Sequence, residues 1–168
     1  MELNLDTYMK YNEYVNLVDK VYRDDKKFKI NCEEIIINLF ENKGAFCNNA
    51  EVISLGVYDN ALLVAGCFLV IPNNYQETVL VCFFEALPNY QQAVNLIISY
   101  ARNIGRKNNC KNIIVGINTH INAGAGILVK GFSTNSFGNN YNPPYYVDYF
   151  EGFKTNIHTM KIGRASCR

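Results

Sequence analysis

Glu85 closes the apolar run Thr78-Val79-Leu80-Val81-Cys82-Phe83-Phe84. A carboxylate at the end of a buried segment is a candidate general base; the competing reading is a solvated turn residue. His120 follows a second apolar run, Ile113-Ile114-Val115-Gly116-Ile117, and opens onto the Gly- and Asn-rich stretch Thr119–Gly126. Loops at strand ends are where sites gather, although a lone His with no carboxylate nearby in sequence also serves structure. Asn118, Thr119 and Asn122 form a neutral polar cluster beside it, which selects neither an acidic nor a basic ligand. Between the two runs, Asn89 stands three residues before Gln92, a capping-box spacing for a helix start. The amides of such a start, Asn89, Tyr90, Gln91 and Gln92, can hold an anion.

Several chemistries find no residues. The two histidines have no HExxH frame and no cysteine pair to complete a metal site. No Ser lies in a Gly-x-Ser-x-Gly elbow. Cys82, inside its apolar run, reads as a small buried hydrophobe rather than a nucleophile. Gly124-x-Gly126 is too short for a dinucleotide fingerprint and reads as a turn.

The elements that position these residues follow from periodicity. Thr78–Phe84 is strand-like in composition, and Ala93, Val94, Ile97, Ile98, Ala101 and Ile104 then recur at helical spacing, with Gly105 as the stop. Ile113–Ile117 is the next strand. Strand, long helix, strand implies a parallel pair with a crossover between. Upstream, Met1–Asp6 reads as a first strand, Tyr11–Tyr22 as a helix and Cys32–Phe40 as another, with Gly44–Asn49 as loop. Ala50–Tyr58, Ala61–Ile71 and Thr78–Phe84 form a meander, antiparallel because their connections are short. Downstream, Asn142-Pro143-Pro144 leads a short helix, Tyr145–Phe150, with Gly152 just past it, and Phe153–Ile162 reads as a last strand. The fold class is therefore α/β: a central mixed, twisted sheet with helices on both faces.

Composition bounds the rest. The chain of 168 residues carries a net charge of +1, with no clustered Lys and Arg to make a nucleic-acid footprint. Its longest apolar run, Ala61–Pro72, is too short for a bilayer, which takes ~20 residues. The six cysteines show no CxxC pattern, and the reading is of reduced thiols in a cytoplasmic protein. No repeat or linker divides the chain, so residues 1–163 read as one domain and 164–168 as a tail.

The element order resembles the GCN5-related N-acetyltransferase fold. Tyr141-Asn142-Pro143-Pro144-Tyr145-Tyr146 followed by Gly152-Phe153 resembles the "YNPPYY…GF" signature of a bacterial acetyltransferase-like family. Tyr22-Arg23-Asp24-Asp25, Cys82-Phe83-Phe84-Glu85 and Gly126-Ile127-Leu128-Val129-Lys130-Gly131-Phe132 are similar to further stretches of it. The resemblance implies transfer of an acetyl group from acetyl-CoA, or another acyl-CoA, to a small-molecule or peptide amine. It implies Tyr146 as the acid near the leaving thiolate, from the set Tyr145, Tyr146 and Tyr149, with Glu85 as base or amine ligand. Cys82, Phe83 and Phe84 would present the strand edge, and Asn89, Tyr90, Gln91 and Gln92 the helix start, to acyl-CoA. Asn118, His120 and Asn122 would line the acceptor side.

Two departures bear on this. Glu85-Ala86-Leu87-Pro88-Asn89-Tyr90 stands where active members carry a Gly-rich pyrophosphate loop, and Pro88 removes one N–H donor. Phe28-Lys29-Ile30 stands where relatives have a Trp and two prolines. The alternative reading is a non-catalytic domain of this fold that binds a small ligand or serves in assembly. No metal, nucleic acid or membrane partner is expected, and a homodimer is the default state.

Overall fold

The structure is a computed structural model that describes residues 2–25, 32–74, 77–119, 123–133 and 140–154. Five strands form one sheet in the order β1 (Leu3–Asp6), β2 (Ala50–Asp59), β3 (Leu62–Pro72), β4 (Thr78–Ala86), β5 (Asn112–Val115). The first four are antiparallel and β5 runs parallel to β4. Helices α1 (Tyr11–Val21), α2 (Glu33–Phe40) and α3 (Gly44–Cys47) precede the meander. Helix α4 (Gln91–Lys107) joins β4 to β5, and α5 (Tyr146–Tyr149) follows β5. The expected mixed sheet with strand–helix–strand connection is thus present.

Each face of the sheet owns a core. Val79, Val81, Phe84 and Ala86 of β4 point to the layer made by α4 and α5, with Val94, Ile97, Tyr146 and Phe150. Leu80, Cys82 and Phe83 point to the other layer, with Tyr14, Leu17 and Tyr22 of the α1 region and Ile36 and Leu39 of α2. Val79 and Val81 keep the strict alternation of a pleated strand, but Cys82 and Phe83 share a face. The register explains this. Gly66 pairs Glu85 and Phe68 pairs Cys82, so two steps along β3 match three along β4. Phe83 takes up the extra residue at φ +48°. This is a β-bulge, and it reverses the alternation of everything after it. Without it Glu85 would share the α4 face with Val79 and Val81. With it, Glu85 lies opposite Gly66 on the α1 face, where a Cβ on Gly66 would meet Met9 and Leu17.

Helix α4 buries Ala93, Val94, Ile97, Ile98, Ala101 and Gly105 as one stripe, with Arg106 and Lys107 in its last turn suiting the helix dipole. Its ends differ from the sequence reading. The N-cap is Tyr90, not Asn89, which sits one position outside at φ +68°. Gly105 does not stop the helix. A Cβ there would lie 3.4 Å from Val79 Cγ2, so glycine permits close packing on β4, and the helix runs two residues further. Gly44–Asn49, expected as loop, contains α3 with Cys47 buried. Strand β5 ends at Val115 rather than Ile117, because Gly116 turns away at φ +94°. Most of the expected last strand Phe153–Ile162, and the tail 164–168, lie outside the described residues, as does Phe28-Lys29-Ile30. Phe153 is described and packs edge-on against Phe150 at 5.7 Å. Among the described residues no helix is long and apolar enough to cross a membrane.

Candidate functional site

The bulge turns Glu85 toward the end of α1, and two phenols meet it there. Its Oε2 accepts a hydrogen bond from Tyr146 Oη at 2.7 Å, and its Oε1 one from Tyr22 Oη at 3.3 Å. Tyr146 Oη also accepts the Ala86 N–H at 2.8 Å, while Tyr22 Oη lies 3.2 Å from the Tyr141 carbonyl. Both tyrosines are buried. The Glu85 residue is partly exposed, yet its carboxylate is ringed by protein. Burial pushes its pKa up to about 8, with the Tyr146 and Tyr22 hydroxyls holding it back from rising further. Burial, and then the charge of Glu85, holds the Tyr146 and Tyr22 phenols well above their usual value. The site therefore contains a carboxyl that changes charge near neutrality, touching a phenol that stays protonated.

Helix α5 owes its position to Asn142. That buried side chain accepts the Leu128 N–H at 2.6 Å and donates to the Leu128 and Pro143 carbonyls at 3.2 and 3.0 Å. Pro143 and Pro144 then start the helix with φ already set, and the Tyr146 N–H closes on Pro143 O at 3.1 Å. Three phenols project from this one turn onto the β4–α4 loop. Tyr146 takes the Ala86 N–H, and Tyr145 donates to the Ala86 carbonyl at 2.8 Å. Tyr149 takes the Tyr90 N–H at 3.1 Å and donates to the Leu87 carbonyl. The Leu87 N–H goes to Val64 O at 2.9 Å. Pro88 has no N–H, and the amides of Asn89 and of the first-turn residues Gln91 and Gln92 make no hydrogen bond among the described residues.

Strands β4 and β5 pair only from Thr78 with Asn112 to Val81 with Val115. A last backbone bond joins Gly116 N–H to Val81 O at 3.2 Å, and the two then part. Side chains fill the opening. Cys82 Sγ donates to Ile117 O at 3.1 Å and accepts the Thr119 N–H at 3.4 Å. Its burial pushes the thiol up to about 12, which keeps it an inert hydrophobe. The Phe83 N–H, turned out by the bulge, donates to Asn118 Oδ1 at 2.7 Å. The Phe83 carbonyl takes the buried Tyr14 hydroxyl at 2.9 Å. Asn118 Nδ2 in turn donates to Asn140 Oδ1 at 3.2 Å, and Asn140 Nδ2 to the carbonyls of Gly116 and Gly126 at 3.0 and 2.8 Å.

Of the residues singled out from sequence, Glu85 and Tyr146 are thus in direct contact. Cys82, Phe83 and Asn118 meet where β4 and β5 part. Phe84 points the other way, into rings of Tyr146 and Phe150 at 5.3 and 5.1 Å. Asn89, Tyr90, Gln91 and Gln92 gather at the α4 start, with the Tyr90 amide engaged by Tyr149. His120 and Asn122 lie outside the described residues. Sequence reading missed Tyr22, Tyr14 and Asn140. Tyr14 and Tyr22 carried one signal: phenols in the buried stripe of a helix need polar partners, so each implied an acceptor within the core. Among the described residues no group of His, Cys, Asp and Glu is placed to hold a metal ion.

No family model and no curated protein matches the sequence. Solved structures do match. A tandem GNAT protein from the clavulanic acid biosynthesis pathway, without acetyl-CoA, aligns at TM-score 0.57 and 11% identity, over 89% of this chain and 42% of that one. An aminoglycoside antibiotic 6′-N-acetyltransferase from Acinetobacter haemolyticus aligns at TM-score 0.53 and 10% identity, over 99% of this chain and 100% of that one. An acetyltransferase from Trypanosoma brucei aligns at TM-score 0.51 and 12% identity, over 96% of this chain and 99% of that one. This chain spans less than half of the tandem protein. At these identities the likeness is one of fold, and the chain has the mixed α/β fold of GCN5-related N-acetyltransferases.

Proposed function

We propose that the protein is an N-acyltransferase that moves an acyl group from acetyl-CoA, or another acyl-CoA, to the amine of a small molecule or peptide. The observation that carries the reading is the Glu85–Tyr146 pair at 2.7 Å, set beside the place where β4 and β5 part. Bound acyl-CoA would supply an activated carbonyl and a sulfur that leaves as thiolate and takes up one proton. The chain's own residues supply the path of that proton. Glu85 accepts a proton from the acceptor amine, because its carboxyl changes charge near pH 8. Tyr146 is too weak an acid to ionise alone. It releases its proton as it receives the one from Glu85, so the pair acts as one relay. The Phe83 N–H is the donor suited to the carbonyl oxygen, and it becomes free when the Asn118 carboxamide leaves it. Asn89, Gln91 and Gln92 are the residues whose amides suit the phosphates.

One observation favours the second reading, a domain of this fold without activity. Tyr145, Tyr146 and Tyr149 already occupy backbone groups of the β4–α4 loop, and Pro88 adds no donor. Calorimetric titration with acetyl-CoA, with free CoA as control, separates the two. Micromolar binding, followed by amine-dependent thiol release that Glu85→Gln and Tyr146→Phe each reduce, supports the transferase. No binding up to millimolar acetyl-CoA overturns it and leaves the inactive domain.

A further inference from the structure

We infer that Tyr22 is a positioning residue for Glu85: its one hydroxyl proton is shared between Glu85 Oε1 and the Tyr141 carbonyl, and it shifts to the carboxylate when Glu85 ionises. The inference deepens the transferase reading, and it is testable on the protein without any substrate.

Each phenol has one proton to give. Tyr146 Oη accepts from the Ala86 N–H and spends its proton on Glu85 Oε2, in a short bond with a single arrangement. Tyr22 is different. Its oxygen lies 3.3 Å from Glu85 Oε1 and 3.2 Å from Tyr141 O, two acceptors for one proton at nearly equal distance. With Glu85 ionised, the Tyr22 proton is drawn to Oε1 by the charge, since hydrogen bonds to ions are the stronger kind. With Glu85 protonated on Oε1, the carboxyl becomes the donor to Tyr22 Oη, and the Tyr22 proton goes to the Tyr141 carbonyl. Both arrangements use the same heavy-atom positions.

Among the described residues no cation competes for this role. The titratable groups bearing on Glu85 are Tyr14 and Tyr22 from α1 and its end, and Tyr145 and Tyr146 from α5 and its lead-in. Cys67 of β3 lies beside Tyr14 and is buried. Asp25, three residues beyond Tyr22, accepts a hydrogen bond from the Tyr141 hydroxyl. All of these phenols and thiols are neutral near pH 7, so among the described residues the ionised form of Glu85 is stabilised by hydroxyl donors rather than by opposite charge. Tyr146 fixes one oxygen, and Tyr22 is the donor that responds. Tyr141 directly precedes Asn142, so the response reaches the segment that leads into α5.

The test is carboxyl-carbon NMR titration of Glu85 in the full chain and in Tyr22→Phe. Losing a donor that favours the ionised form should raise the Glu85 midpoint by about half to one pH unit. An unchanged or lowered midpoint overturns the inference. A second measurement needs no substitution. In the unaltered protein carrying ¹³Cζ-labelled tyrosine, the Tyr22 signal should shift with the same midpoint as Glu85, and a Tyr22 signal that ignores Glu85 overturns it equally. If transfer activity is present, the acidic limb of kcat/KM in Tyr22→Phe should move up by that same amount, giving a 3–10-fold loss at pH 7 and recovery at high pH. A lowered plateau with an unmoved limb is the mark of a merely structural role and counts against it. Coupled titrations in a protein that transfers nothing would uphold the role of Tyr22 and refute the transferase.

Discussion

Glu85→Gln should flatten the dependence of stability on pH. The amide reproduces the neutral acid: its Oε1 can accept from Tyr146, and its Nε2 can donate to Tyr22 Oη, leaving the Tyr22 proton for the Tyr141 carbonyl. What it removes is the titration. In the fold the carboxyl keeps its proton to about pH 8, and its ordinary value is 4.5. A carboxyl with a raised folded pKa binds more protons folded than unfolded between those two values. Stability is therefore fullest below pH 4.5 and falls as pH rises, by about 1.4 kcal/mol per pH unit. Summed to pH 8 this is at most about 5 kcal/mol, against a whole-domain stability of about 5–15. Urea unfolding of the two proteins from pH 4 to 9 reads it directly, because the other titrating groups are common to both and cancel in the difference. The variant should gain on the wild type steadily between pH 4.5 and about 8 and then level off. A difference that stays constant, or that turns against the variant at high pH, would mean that Glu85 ionises at its ordinary value and that the relay has no physical basis.

Other perturbations probe other parts. Asn118→Ala releases the Phe83 N–H. If a carbonyl oxygen of acetyl-CoA takes that donor, calorimetry should show binding tightened about 5–10-fold, and unchanged affinity would exclude the Phe83 amide from the site. Gly116 and Gly126 both have positive φ, but a Cβ on Gly116 would lie 2.9 Å from the Gly126 carbonyl carbon, while one on Gly126 meets nothing within 4 Å. Gly116→Ala should lose about 2–3 kcal/mol and Gly126→Ala about 1 in urea unfolding; equal losses would refute the close approach. Phe68 is fully buried, with the Phe40, Tyr14 and Phe83 rings at 4.7, 6.0 and 6.4 Å. Phe68→Ala should lose about 3–5 kcal/mol by the same measurement, and a loss under 1 would mean that the α1 layer collapses onto the hole.

The local part of this architecture is legible from composition and period. The apolar run of β4, the helical stripe Ala93–Ala101 and the prolines before α5 each announce their element within a few residues of its bounds. Misread features have a shared cause. Gly105 is a helix stop by local rule and a packing glycine in fact, because Val79 lies 3.4 Å from where its Cβ would be. Asn89 is a cap by spacing, but its left-handed backbone excludes it from the first turn. The site was half legible. Glu85 and Tyr146 are marked by position, whereas Tyr22 is 63 residues from Glu85 and Asn140 is 22 from Asn118. Both meet their partners only through the sheet. The bulge was the hidden step: nothing in Val81-Cys82-Phe83-Phe84 announces that a phenylalanine will adopt φ +48°.

That bulge gives β4 a reading frame. Side chains along a strand are read in twos, and the extra residue at Phe83 shifts every later one by a single place. Substitutions at Phe83 or Phe84 alter packing but leave the frame intact. Straightening the bulge with all its residues kept is a different event. It would hand the carboxylate of Glu85 to the layer of Val94 and Ile97, put Phe84 and Ala86 on the α1 side, and take the carboxylate from Tyr22 in the α1 layer. The kink at Phe83, rather than the number of residues in β4, is thereby as much a part of the site as the glutamate it delivers.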